Sequence, residues 1–159
     1  MRFLSSEEKR VAESFFQEAA TIALSSSCYR SRCGSVIVSD NEIIGKGYNS
    51  PPCDITLEHC LKDYLPTNFK SDKTCCIHAE QRAILDALKH YPLKIEGSRL
   101  YFMRLDEQGY KQFAGKPYCT ICSKMTLDTG ISEFVLWHEE GIAVYNSKEY
   151  NELSFQWRE

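Results

Sequence analysis

The sequence predicts an α/β fold: a mixed sheet of about five strands with helices on its faces. Two observations carry this. Apolar residues alternate between helical and strand patterns in the order α-β-β-α-β-α-β, the order expected of a sheet covered by helices. The first two β segments are separated only by Asp40 and Asn41, a turn suited to a hairpin. Repeats and low-complexity tracts are absent, and 159 residues suffice for one domain, residues 1–159, with a proper core.

Each element follows from its residues. Ser5, Ser6, Glu7 and Glu8 resemble a capping box. Val11, Phe15, Ala19 and Ile22 recur at helical spacing, so the first helix runs to about Ser26. "CGSVIVSDNEIIGKGYN" reads as strands over 35–39 and 42–47. Residues 50–75 are mostly loop, longer than compact domains ordinarily hold without a functional or metallic reason. A second helix over 79–90 buries Ala83, Ile84, Ala87 and Leu88. "RLYFMRL" is a third strand, apolar enough to be nearly all buried, and "CTICSKMTLD" starts a third helix that Gly130 stops. "EFVLWH" is a fourth strand, "IAVY" a fifth, and a last helix starts at Ser147.

Hydrophobic residues make up 43% and charged residues 26%, ordinary values for a soluble globular protein. A net charge of −3 argues against a chain whose main partner is a nucleic-acid backbone, but leaves a small anionic ligand open. The start, "MRFLSSEEKRV", has no long apolar run and reads as neither signal peptide nor membrane span. A cytoplasmic location is therefore expected. In that reducing compartment, eight cysteines read as metal ligands and buried thiols rather than a disulfide framework.

The chemistry concentrates in "CCIHAEQRAIL", residues 75–85, and in "KPYCTICSK". Cys119 and Cys122, three apart on a helix, share one face, and a helix start favours thiolates. His78 sits at the start of the second helix. One histidine and two cysteines make a zinc site with an open position, the arrangement of a catalytic rather than a structural centre. Glu80, two residues beyond His78, points away from it on a regular helix. It need not be a ligand and is placed to exchange protons with a water beside the metal. A buried capping histidine would explain His78 alone, but not His78 together with Glu80 and C-x-x-C.

H-x-E followed by P-C-x-x-C is the signature of zinc nucleobase deaminases. "HAEQRAIL" and "CTIC" resemble the cytidine/deoxycytidylate deaminase superfamily. "SSSCYRSRCGSVIVSDNEIIGKGYNSPP", "EHC", "RLYFMRL" and "DTGISEFVLW" extend the resemblance over about residues 5–138, most closely to deoxycytidylate (dCMP) deaminases. The resemblance implies a three-layer α/β/α fold, hydrolysis of an exocyclic amine to a carbonyl (dCMP to dUMP), bound zinc, and a homo-oligomer. It implies that His78, Cys119 and Cys122 hold zinc and that Glu80 is the proton shuttle. Asn49 would hydrogen-bond the substrate's sugar, although an Asn after a strand is often only a turn former. The backbone N–H of Ala79 would meet the pyrimidine carbonyl.

Some relatives of this kind carry a second, structural zinc. Cys28, Cys60 and either Cys75 or Cys76 match its ligands, with Cys53 and His59 as further candidates. Cys33 reads as packing, and His90 and His138 carry no motif. One departure stands out: Pro117 lies one residue early, and Tyr118 precedes the first cysteine of C-x-x-C. The segment 106–118 is also longer than the usual link and borders the expected pocket, with Lys111 and Lys116 as the nearest candidates for a phosphate. Deamination of adenosine in tRNA, of guanine or of a pterin is the same-fold alternative. A non-catalytic zinc-stabilised domain would not need Glu80, and a thioredoxin-like protein would carry C-x-x-C early in the chain.

Overall fold

Seven strands form one mixed sheet in the order β1-β7-β6-β4-β2-β3, with β5 paired to β4, in the computed structural model, which describes residues 1–66 and 75–156. Residues 67–74, part of the expected long loop, and 157–159 lie outside the described residues. The strands are β1 (Arg2–Phe3), β2 (Arg32–Ser39), β3 (Glu42–Tyr48), β4 (Arg99–Leu105), β5 (Lys111–Gln112), β6 (Glu133–His138) and β7 (Gly141–Asn146). The helices are α1 (Ser6–Ala23), α2 (Ala79–His90), α3 (Thr120–Asp128) and α4 (Ser147–Gln156). The expected five strands are all present, and the two-residue strands β1 and β5 are additions too short to leave a periodic signal. Among the described strands only β4 and β6 run parallel; the intervening α3 makes the crossover that such a pair requires.

The β2–β3 hairpin turns at Asp40 (φ 51°) and Asn41 (φ 63°), the paired left-handed conformations that match strand twist. β2 begins three residues earlier than its apolar run, at Arg32, because Arg32 and Cys33 continue the ladder opposite Leu105 and Arg104.

One face of the sheet carries α1, and the other carries α2, α3 and α4. The α1 start is a capping box: Glu8 N–H donates to the Ser5 hydroxyl (3.4 Å), and Ser5 N–H donates to the Glu8 carboxylate (2.9 Å). Its buried stripe is Ala12, Phe15, Phe16, Ala19, Ala20 and Ala23, packed on Val36, Tyr101 and Met103. Val11 is exposed, one position off the stripe. The helix ends at Ala23 rather than near Ser26, where the backbone continues as single turns. On the opposite face Ala83, Ile84 and Ala87 of α2 cover Ile37, Leu100 and Phe134, and the Tyr150 ring of α4 stacks on Phe134 at 3.9 Å. Leu88, expected in this core, faces outward.

The start of α2 lies almost against β3, and this closeness sets the position of the site. A Cβ on Gly47 would stand 2.3 Å from the Ala79 carbonyl oxygen and 2.4 Å from the Ala83 nitrogen. Neither backbone atom can yield without moving the helix. Gly47→Ala is expected to lower the unfolding free energy by about 3 kcal/mol, the upper end for overpacking. Urea denaturation checks this, and an unchanged midpoint would contradict the close packing.

Candidate active site

Two helix starts supply the polar cluster. His78 is the residue before α2, extended at φ −72° and ψ 153°, and its backbone N–H donates to Gln81 Oε1 at 2.9 Å. Cys119 holds the same position before α3, where its sulfur accepts the backbone N–H of Cys122 at 3.4 Å, in the place of a capping oxygen. His78 Nδ1 lies 3.3 Å from each of the two sulfurs. Among the described residues this is the one group of three such side chains whose ligand atoms all fall within 4.8 Å of one another.

The protons of the cluster are unevenly held. Hydrogen bonding from Cys122, and then from His78, lowers Cys119 to about 4 despite burial. The bond to Cys119 and burial together push Cys122 well up, and the same thiolate raises His78. One thiolate, one thiol and one imidazole crowded together at two helix starts form a donor set ready to exchange protons for a soft-to-borderline cation. Zinc fits. Bonds of about 2.0–2.3 Å to nitrogen and sulfur put tetrahedral ligands about 3.5 Å apart, close to the separations found.

Glu80 lies in the first turn of α2 and is only 7% exposed. Burial raises its carboxyl above the ordinary range, with His78 opposing. It lines a cavity of about 450 Å³, within the range of roughly 300–1,000 Å³ typical of small-ligand sites. Phe102 and Leu136 of the sheet line the cavity along with His78 and Glu80, and Lys116 and Tyr118 approach it from the segment before α3.

The other expected site residues fall as follows. Ala79 lines the cavity, and its N–H, first in α2, has no intrahelical acceptor. Asn49 lines it too, but its amide is also a brace: Oδ1 accepts from the Ser26 hydroxyl (2.7 Å) and Cys33 N–H (2.7 Å), and Nδ2 donates to the Ser31 carbonyl (2.9 Å). Lys111 stays on exposed β5 and does not line the cavity. Cys33, expected to be packing, instead lines the cavity, where burial and then Glu80 push its thiol up to about 12. Arg104 at the end of β4 also lines it. Sequence reasoning passed over both Cys33 and Arg104, because strand alternation alone does not tell which face carries the cavity.

Cys28, Cys76, Cys75 and Cys60 stand in a row: the Cys75 and Cys76 sulfurs are 3.9 Å apart, Cys28 neighbours Cys76, and Cys60 neighbours Cys75. Arg30 Nε donates to Cys60 at 3.3 Å. Burial raises Cys60, but Arg30, the Lys62 backbone and Cys75 outweigh it and lower the thiol. Cys53 is exposed on a short turn and the His59 ring packs edge-on against Tyr64, so neither joins the row.

Residues 9–138 match the family described as the cytidine and deoxycytidylate deaminase zinc-binding region. The chain belongs to this family. It is 31% identical to a deoxycytidylate deaminase of Saccharomyces cerevisiae over 148 residues, covering 85% of this chain and 42% of that protein. It is 29% identical to the deoxycytidylate deaminase of Mycobacterium phage D29, covering 77% of this chain and 91% of the relative. The chain thus spans less than half of the yeast relative and most of the phage one. A dCMP deaminase from cyanophage S-TIM5, solved with dCMP and dUMP, has a similar fold (TM-score 0.57, 23% identity, covering 82% of this chain and 81% of that one). The three-layer deaminase fold and a zinc-binding His-Cys-Cys centre are therefore features of this chain.

Asn49→Ala would leave the Cys33 N–H and the Ser31 carbonyl without their partner. It is expected to cost about 1–3 kcal/mol of stability and to disturb the cavity wall. Thermal unfolding of the variant measures the first effect, and an unshifted melting temperature would show the brace to be idle.

Proposed function

We propose that the protein hydrolyses the exocyclic amine of a cytosine nucleotide, converting dCMP to dUMP. The observation that carries this is Glu80, an almost fully buried carboxyl on the cavity wall beside His78, Cys119 and Cys122. A structural metal site has no use for an acid–base group held there. The family and the named activity of the relatives favour the same substrate.

When bound by His78, Cys119 and Cys122, zinc supplies a Lewis acid that makes water acidic near neutral pH. The chain's own groups do the rest. Phe102 and Leu136 give the ring an apolar wall, and the Ala79 N–H at the helix start offers a donor to the ring carbonyl. Glu80 relays both protons of the attacking water, the first to the ring nitrogen beside the reacting carbon and the second to the departing amine, so that amine plus water becomes carbonyl plus ammonia. Burial suits Glu80 to both halves of this exchange by bringing its acidity nearer to neutrality.

The same reading has the enzyme work in the reducing cytoplasm, in keeping with eight free cysteines; among the described residues no helix is long and apolar enough to cross a membrane. It has the chain associate with copies of itself through the outer side of α2, where Leu85, Leu88 and Tyr91 are exposed. It also has a second zinc draw the row Cys28, Cys76, Cys75 and Cys60 together. Four thiols are suitable donors for structural zinc, and the ion would supply the convergence that the row lacks.

Glu80→Gln is expected to keep its zinc and lose activity on dCMP by about 10²- to 10⁴-fold, measured by ammonia release and elemental analysis on one preparation. Activity near that of the unmodified protein would remove the mechanism. Zinc content is expected near two ions per chain. Cys60→Ser should bring it to one and lower stability while sparing the rate at saturating substrate; one ion per chain in the unmodified protein would reject the second site.

A further inference from the structure

We infer that Arg104 reads the phosphate of the substrate, so that the cavity selects a nucleoside monophosphate over the nucleoside. The inference rests on the deaminase reading above and assigns a selecting residue within that site. Side chains of β4 alternate between the two faces. Tyr101, Met103 and Leu105 pack on the α1 side. Leu100 and Phe102 belong to the opposite side, where Phe102 lines the cavity. Arg104 is next in that alternation, and it takes a guanidinium to the cavity wall where the apolar floor ends.

Its backbone is held on both sides. Arg104 pairs with Cys33 of β2 on one side and with Gln112 of β5 on the other, so the charge projects from a fixed point of the sheet rather than from a loop. Its charge is also available. Arg2, Arg30, Arg82 and Arg99 each face a carboxylate, whereas Arg104, like Arg10 and Arg32, forms no ion pair among the described residues; of these three it is Arg104 that lines the cavity. Among the described residues Glu80 is the only carboxylate lining the cavity, and Lys116 adds a second cation to the lining. Cys33 stands between the two poles: it is the cross-strand neighbour of Arg104 and lies within electrostatic reach of Glu80.

The cavity is therefore polarised, with acid–base chemistry at one part of the wall and cationic groups at another. A cytosine ring is neutral, and so is its sugar. Neither carries a charge for an exposed guanidinium on the cavity wall to meet. A phosphate monoester does, because the planar fork of arginine donates two parallel hydrogen bonds to two of its oxygens. An exposed loop lysine would contribute charge without that geometry.

Steady-state kinetics of zinc-loaded protein on dCMP and on deoxycytidine test this, together with equilibrium binding of dUMP and deoxyuridine. Arg104→Ala is expected to lower kcat/KM for dCMP about 10- to 100-fold, chiefly through KM, with little change for deoxycytidine. The preference for dUMP over deoxyuridine in binding should fall by a similar factor. Arg104→Lys should restore part of both, since it returns charge but not the fork. A ratio of dCMP to deoxycytidine efficiency that is the same in Arg104→Ala as in the unmodified protein overturns the inference and leaves the deaminase reading standing. Equal efficiency on the two substrates in the unmodified protein does the same. Absence of deamination of both by the unmodified protein, in the presence of bound zinc, overturns the deaminase reading and the inference with it.

Discussion

Two helices begin at one point. The N-termini of α2 and α3 carry unpaired amides and the positive ends of their dipoles, and they face each other across His78, Cys119 and Cys122. Such an arrangement is unfavourable unless negative charge lies between the two ends. The Cys119 thiolate provides it, held down to about 4 by the hydrogen bond from Cys122 and then by His78. The cluster thus holds the two halves of the helical layer together and concentrates donors for a cation, and removing any of its members would disturb both roles. The close approach of α2 to β3 at Gly47 belongs to the same constraint, since it fixes where the first of these helices starts.

Burying Glu80 beside this cluster carries an electrostatic cost. An ionised carboxylate taken out of water loses hydration, and the thiolate of Cys119 adds repulsion; His78 compensates in part. That balance leaves the carboxyl above its ordinary range. Phe102 and Leu136 give the cavity an apolar stretch of wall on the sheet side, which strengthens polar contacts made beside it.

The loop between β3 and α2 is secured at its base. Ile77 N–H donates to the Ser50 carbonyl at 2.9 Å, closing the two ends of the loop. Arg82 of α2 then reaches back, donating to the Pro51 carbonyl at 2.8 Å, pairing with Asp54 at 3.4 Å and lying over the Tyr48 ring at 5.3 Å. Tyr48 completes the circuit by donating to Asp54 at 2.9 Å. This clamp ties the loop to the helix that carries His78 and Glu80, and brings Cys75 and Cys76 toward Cys28 and Cys60.

Periodicity and turn chemistry by themselves determined most of the architecture. The capping box at Ser5, the Asp40–Asn41 turn, α2, β4, β6 and the C-x-x-C helix are local features, each written within a dozen residues and so readable without the fold. His78, Glu80, Cys119 and Cys122 were legible for the same reason: helix starts and i, i+3 spacing are local geometry. Tertiary packing decided the rest. Val11 and Leu88 fit a helical pattern yet face outward, because the stripe that packs is set by where the sheet lies. The β1 and β5 strands exist only as partners of β7 and β4, each too short to have a pattern of its own. Asn49, whose sequence context suggests a ligand contact or a turn, proves to brace the backbone of residues far away in the chain. Arg104 gains its place from the β4–β6 crossover and the position of two helix starts, which decide which face of β4 opens onto the cavity. A strand sequence specifies alternation, but the direction of each side chain relative to a site made by other elements is fixed only when those elements pack.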